Sequence, residues 1–143
     1  MGIEMLRRLE NWPEKLAEQI ALAQNTPYQI GVHDCLRLSC KVIEAMTGKD
    51  YWPQFAGYTT RRQAVAKLAE YGDSLEAAAA AVLGVTPSPR FSASRGDLLI
   101  VKDKYGEHLG VCTGSSVAVL EHSGLLMLRL DHSAVGNCLK VGA

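Results

Sequence analysis

The sequence predicts an α+β fold in which helices come first along the chain and an antiparallel sheet follows. Residues 13–83 carry apolar side chains at helical spacing between helix start and stop signals. After Thr86-Pro87-Ser88-Pro89 the pattern changes to short aliphatic and β-branched runs separated by glycine and polar turns. A length of 143 residues suits one domain around one core, so we predict a single domain over residues 1–143.

The first two helices are predicted from their ends. Asn11-Trp12-Pro13-Glu14 is a typical helix start with proline in the first turn, and Asn25-Thr26-Pro27 ends a helix placed at about 13–25. The second helix runs from Cys35 to Met46 and is apolar over most of its circumference. We therefore expect it to be central and buried, with Gly48 as its stop.

Two further helices and a sheet complete the prediction. Thr59-Thr60 caps a helix that ends by Gly72, and Ser74 caps Leu75–Leu83, which Gly84 ends. Four strands are predicted: Leu98–Val101, Leu109–Cys112, Val117–Leu120 and Leu125–Leu130.

Composition narrows the classes of partner. Lysine plus arginine and aspartate plus glutamate number 15 each, so no bulk positive field attracts nucleic acid or anionic lipid. No stretch approaches the roughly 18 apolar residues that span a bilayer, and the start lacks a secretory signal pattern. We expect a soluble protein made in a cytoplasm, with no nucleic-acid partner and no membrane insertion.

Four cysteines are too few for a disulfide scaffold, and no C-x-x-C pair indicates a structural metal. Cys35 stands out because it falls at the start of the buried helix, where unpaired backbone N–H groups and the helix dipole favour the thiolate. The alternative is that Cys35 is a small core residue. Cys40, Cys112 and Cys138 are predicted to be packing residues, and no cofactor is expected.

A nucleophilic cysteine needs a base, and the chain has four histidines: His33, His108, His122 and His132. His108 is our first choice, because it heads a predicted strand whose edge could face the start of the second helix. Asp97, after Arg95-Gly96, is predicted to be a turn and strand-start residue.

These residues form an ordered set of motifs that resembles the NlpC-type papain-like cysteine peptidases. In that family a Pro-Tyr-x-x-Gly segment comes before an Asp-Cys pair at a helix start. A Gly-Asp-Leu strand follows, and after it comes a His-x-Gly strand that ends in glycine. The chain has the same pieces in the same order: Pro27-Tyr28-Gln29-Ile30-Gly31, Asp34-Cys35, Arg95-Gly96-Asp97-Leu98-Leu99, and His108-Leu109-Gly110-Val111 through Gly114.

The resemblance implies roles for individual residues. Cys35 would attack the carbonyl of a peptide crosslink, and His108 would take its proton and later protonate the leaving amine. The backbone N–H of Cys35 would help to form the oxyanion hole, and His122 is the candidate third polar residue, although it also fits a hairpin turn. Substrate-binding roles would fall to Tyr28, His33 and Asp34, and for His33 a structural role is the alternative.

Other features set this chain apart from secreted wall hydrolases. The leading Asn11-Trp12-Pro13 helix, the Gly31-x-His33-Asp34-Cys35 form and the length resemble the compact subgroup found in phage and gene-transfer-agent tail modules. The small Ser-Gly usual after Asp-Cys is replaced by Leu36-Arg37, which could alter or close the substrate groove.

The resemblance implies a peptidoglycan endopeptidase at a phage tail tip, or baseplate. Its expected partners are host peptidoglycan and other tail proteins, and its expected location is the virion. The alternative is a structural tail-tip or hub subunit that keeps the peptidase fold. Acyl transfer to an amine is a minor option, and a metal enzyme is disfavoured because consecutive His33, Asp34 and Cys35 cannot all turn to one ion.

Overall fold

The computed structural model describes residues 6–143, in which four α-helices precede five β-strands. The helices are α1 (Trp12–Gln24), α2 (Cys35–Thr47), α3 (Arg61–Ala69) and α4 (Leu75–Leu83). The strands are β1 (Leu98–Asp103), β2 (Gly106–Cys112), β3 (Ser116–Glu121), β4 (Gly124–Arg129) and β5 (Val135–Leu139). The predicted α+β class and its order of helices before sheet are confirmed.

The helix ends follow the predicted capping residues. The side chains of Thr60 and Ser74 accept hydrogen bonds from backbone N–H groups in the first turns of α3 and α4. Gly48 and Gly84 end α2 and α4 in the left-handed conformation, with φ of 83° and 69°. The largest difference is in α3, which ends three residues before Gly72.

The sheet is antiparallel throughout and has the order β4-β3-β2-β1-β5. Hairpins join β1 to β2 and β3 to β4, and β5 returns to pair with the free edge of β1 across an irregularity between Leu99 and Val101. The four predicted strands are confirmed, but β5 was missed. Its sequence contains Gly136 and Asn137, which are both disfavoured in strands and break the alternating apolar pattern.

The two faces of the sheet bury different side chains. One face packs against α2, which contributes fully buried Val42 and Met46. The other face is a smaller apolar cluster that contains Cys112 and Cys138. Cys40, Cys112 and Cys138 are all buried, as predicted for packing residues. Gly110 allows β2 and β3 to approach closely, since a Cβ there would lie 2.4 Å from a Val117 side-chain carbon.

Asp97 joins both ends of the chain to the start of the sheet. Its buried carboxylate accepts hydrogen bonds from the side chains of Arg8 and Lys140, both at 3.0 Å, and from the backbone N–H groups of Ser94 and Val141. The turn and strand-start position is confirmed, and the residue also anchors the termini. No helix within residues 6–143 is long and apolar enough to cross a bilayer.

Candidate active site

Asp34 fixes the start of α2. One carboxylate oxygen accepts a hydrogen bond from the backbone N–H of Arg37 at 2.8 Å, which caps the helix. The other accepts from the backbone N–H of Gly31 at 2.8 Å and from the hydroxyl of Tyr58 at 2.6 Å. Gly31 must be glycine here, because its φ is +78° and a Cβ would lie 2.2 Å from the Tyr58 carbonyl oxygen. Asp34 thereby holds Cys35 as the first residue of α2.

A cleft of about 380 Å³ opens beside Cys35. One wall is formed by α3 and the start of α4, and the other by the turns of the β1–β2 and β3–β4 hairpins. Five of the six predicted site residues line it: Tyr28, Asp34, Cys35, His108 and His122. The fold therefore gathers residues that are up to 94 positions apart in the sequence, by the difference between 122 and 28.

Cys35 is half-buried and lines the cleft, and protein atoms surround much of its thiol. Burial raises its pKa to about 11, against a smaller opposing effect from a hydrogen bond with the backbone of Leu109. The expectation that the helix start favours the thiolate is wrong for this conformation, because desolvation outweighs the first-turn N–H groups and the dipole. The neutral thiol is the resting form.

His108 lines the same cleft as Cys35. Its Nε2 is 3.1 Å from Oδ1 of Asp103, the last residue of β1, and the tight turn into β2 brings the two side chains together. Burial raises the pKa of Asp103, but hydrogen bonds from the Tyr105 backbone and from His108 outweigh it, so the pKa lies below its ordinary value. A charged Asp103 favours the tautomer with the proton on Nε2, which leaves Nδ1 free to accept a proton.

Asp103 is the functional candidate that the sequence did not yield. The signal is the hairpin turn Asp103-Lys104-Tyr105-Gly106, which pairs Asp103 with Gly106 and Val101 with His108, so that Asp103 lies diagonally across from His108. The predicted end of β1 at Val101 is two residues short, which leaves Asp103 outside the predicted strand.

The Cys35 thiol contacts β2, the strand that carries His108. The thiol hydrogen-bonds to the backbone of Leu109, the residue that follows His108. Within residues 6–143, no hydrogen bond joins the thiol to the His108 ring, which is directed to Asp103. The thiol and the ring must therefore come into hydrogen-bond reach before a proton can pass directly between them.

His122 and Tyr28 form one edge of the cleft. His122 is exposed in the turn between β3 and β4, and its ring centroid lies 4.8 Å from that of Tyr28. The hairpin-turn alternative therefore describes its position. The hydrogen-bond partner of His108 is Asp103, so a third catalytic role for His122 stays a prediction. Burial raises the pKa of Tyr28, and the nearby Asp34 and Cys35 add to this effect.

His33 lies apart from the cleft, with only 3% of its surface exposed. Its backbone pairs with that of Gln29, but neither ring nitrogen has a hydrogen-bond partner. Burial lowers its pKa, and the positive charge of Lys41 lowers it further. This position supports the structural alternative for His33 and gives no support to the predicted contact with substrate.

The Leu36-Arg37 departure does not close the groove. Leu36 lines the cleft, while Arg37 turns away and places its guanidinium 4.8 Å from the centre of the Trp52 ring. The bulk of Arg37 therefore lies outside the cleft that it was expected to alter.

The fold and the site together define a compact α+β protein with a cysteine and a paired histidine and aspartate in one cleft. Within residues 6–143, no group of three or more His, Cys, Asp or Glu side chains is arranged to hold a metal ion. The chain belongs to the family described as a domain of unknown function, DUF6950, which matches residues 7–141. No curated protein has a significant match to the chain.

Proposed function

We propose that this chain is an NlpC-type, papain-like cysteine peptidase with Cys35 as nucleophile and His108 as general base. The observation that carries the proposal is the convergence of the two side chains on one cleft. Cys35 begins a buried helix, its thiol contacts β2 directly after His108, and Asp103 occupies the Nε2 side of the His108 ring. This is the order of groups that a Cys-His peptidase needs.

In the proposed reaction Nδ1 of His108 takes the Cys35 proton, and Sγ attacks the carbonyl carbon of an amide in the cleft. The capping bond of Asp34 goes to the N–H of Arg37, so the N–H of Cys35 lies outside the cap and can donate to the developing oxyanion. The carbon–nitrogen bond then breaks as His108 protonates the leaving amine. Water, deprotonated by His108, hydrolyses the thioester and restores the thiol. Asp103 orients the ring and stabilises its charged form.

The proposed substrate is a peptide crosslink of host peptidoglycan, and the proposed location is the phage tail tip, among other baseplate proteins. Both rest on the motif order from Pro27 to Gly114 and on the compact form of the chain. The open cleft supports a ligand-binding role, since about 380 Å³ falls within the roughly 300–1,000 Å³ typical of small-molecule sites.

One observation favours a second candidate, a structural tail-tip or hub subunit with a retained fold. A thiol whose pKa is about 11 holds little thiolate at neutral pH, and the His108 ring is not hydrogen-bonded to it. Such a site resembles one that is inactive until a neighbouring subunit or a substrate rearranges it.

Digestion of purified peptidoglycan separates the two candidates. We expect wild-type protein to release muropeptides with new peptide ends, detected by mass spectrometry, and Cys35→Ala and His108→Ala to release none. Cys40→Ala is the matched control, because Cys40 lies buried on the same helix and outside the cleft. Release by Cys35→Ala would refute the thiolate mechanism. No release by any variant favours the structural subunit.

A further inference from the structure

The wall of the cleft formed by α3 is unusual for a helix of a small protein. No residue of α3 is buried, although the helix carries Ala64, Val65 and Leu68. Arg61, Ala64, Val65, Leu68 and Ala69 all line the cleft. Their spacing of three, four, seven and eight positions places them on one stripe.

Other parts of the protein cover this stripe only in part. Ala64 and Leu68 pack partly against the main core, while Val65 leaves 56% of its surface exposed at the cleft. Ile30 and Leu120 add apolar surface to the cleft lining. Apolar surface that lines a concave site gains free energy when an apolar ligand group removes it from water.

The charged lining of the cleft has one dominant sign. Asp34 accepts hydrogen bonds at both of its carboxylate oxygens. Asp103 accepts from the Tyr105 backbone and is paired with His108, and Glu107 accepts from the N–H of Leu75. Besides Asp34, four carboxylates line the cleft: Asp73, Asp103, Glu107 and Glu121. They face a single arginine, Arg61, whose guanidinium already donates to the Tyr105 carbonyl across the cleft. The chain as a whole is balanced, with 15 residues of each sign, so this excess of acid is local. A local negative potential favours ligands that carry positive charge.

From these features we infer that the cleft takes a cationic, apolar ligand: an amide or short peptide with a free amino group and an aliphatic side chain that packs on Val65. The inference rests on the proposed function only in treating this cleft as the substrate site, and it concerns binding rather than cleavage. The aliphatic group would cover the α3 stripe, and the ammonium would lie near the carboxylates of the opposite wall.

Three probes that differ in the sign of their charge and in their apolar content test it, in NMR titrations of ¹⁵N-labelled Cys35→Ala protein near neutral pH. Leucyl-leucinamide is cationic and apolar, N-acetyl-leucyl-leucine is anionic and apolar, and glycyl-glycinamide is cationic without apolar side chains. We expect leucyl-leucinamide to bind about tenfold more tightly than either of the others, with shifts at cleft residues. Equal binding by the anionic or the glycyl probe overturns the inference, as does no binding of leucyl-leucinamide at about 10 mM.

Substitutions test where the aliphatic group and the ammonium of the ligand bind. Val65→Asn should weaken leucyl-leucinamide about three- to tenfold, whereas Val32→Asn, at a valine that is 55% exposed and outside the cleft lining, should not. Glu121→Gln should weaken it, while Glu44→Gln, at an exposed glutamate away from the cleft, should not. Since Cys35→Ala cannot cleave, a binding result stands whether or not wild-type protein digests peptidoglycan, so the two proposals fail separately.

Discussion

Replacing Asp34 by alanine tests whether this carboxylate holds the site together. The change removes the cap of α2, which is worth about 1 kcal/mol, and the hydrogen bond from the Gly31 N–H to the same carboxylate, worth about another 1.5 kcal/mol. It also leaves the buried Tyr58 hydroxyl without its charged acceptor, at a cost of about 1.5–3 kcal/mol. Since the three bonds share one carboxylate, we expect a combined loss of about 3–5 kcal/mol in the free energy of unfolding.

The assay is urea unfolding followed by circular dichroism, with helix caps of the same chain as controls. Thr60→Ala and Ser74→Ala each remove a single hydrogen bond between an exposed side chain and a first-turn N–H, so each should cost about 1 kcal/mol. Asp34→Asn keeps an acceptor for the cap and should fall between. A loss for Asp34→Ala no larger than that of the two controls refutes the reasoning, and would leave Asp34 free for the predicted contact with substrate.

Three further predictions concern Asp97, His33 and Cys35. Asp97→Ala should cost about 3–5 kcal/mol because this buried carboxylate accepts from Arg8, Lys140 and the backbone N–H of Val141. Asp131→Ala, which breaks an exposed ion pair with Arg129, should cost at most about 0.5 kcal/mol, and equal losses in urea unfolding would contradict this. The pKa of His33 is lowered on folding, so below the ordinary value of about 6.5 the unfolded chain binds more protons and stability falls as pH falls. His33→Asn should therefore lose less stability than wild type between about pH 7.5 and pH 5.5, and equal losses would show that His33 is not responsible. The rate of Cys35 alkylation by iodoacetamide, followed by peptide mass spectrometry, should rise with pH toward an apparent pKa of about 11; a plateau reached by neutral pH would instead reveal a preformed thiolate.

The elements that the sequence predicted best were those whose local chemistry agrees with their tertiary surroundings. Thr60 and Ser74 cap helices in the structure, as predicted, because a side-chain oxygen at a helix start accepts from unpaired first-turn N–H groups. The cap by Asp34 is not among the predictions, which give Asp34 a substrate-binding role. β5 escaped prediction since its pairing with β1 comes from long-range contacts that Gly136 and Asn137 do not signal locally.

The features of the candidate site also divide into those that could be predicted from local sequence and those that depend on long-range contacts. That Cys35 begins a helix could be predicted from Asp34 and the apolar run that follows, but the direction of its pKa shift could not. The dipole and first-turn N–H groups are local and readable from sequence, whereas desolvation depends on what covers the thiol, here the backbone of β2 near Leu109. Pairing of Asp103 with His108 depends on hairpin register, and an error of two residues in the end of a strand conceals it.

The buried thiol and the open cleft have complementary consequences for the proposed mechanism. A preformed thiolate at this position would react with any electrophile that reached it, whereas a thiol with a pKa of about 11 reacts only when a base takes its proton during attack. His108 can serve as that base once its Nδ1 faces Sγ, and Asp103 keeps Nε2 occupied as this happens. In the proposed mechanism, a ligand that packs on the α3 stripe would bring its carbonyl beside Cys35 and exclude water from the ring, which would couple binding to proton transfer. Activity would then depend on how well a ligand fills the cleft, more than on the resting charge of the cysteine.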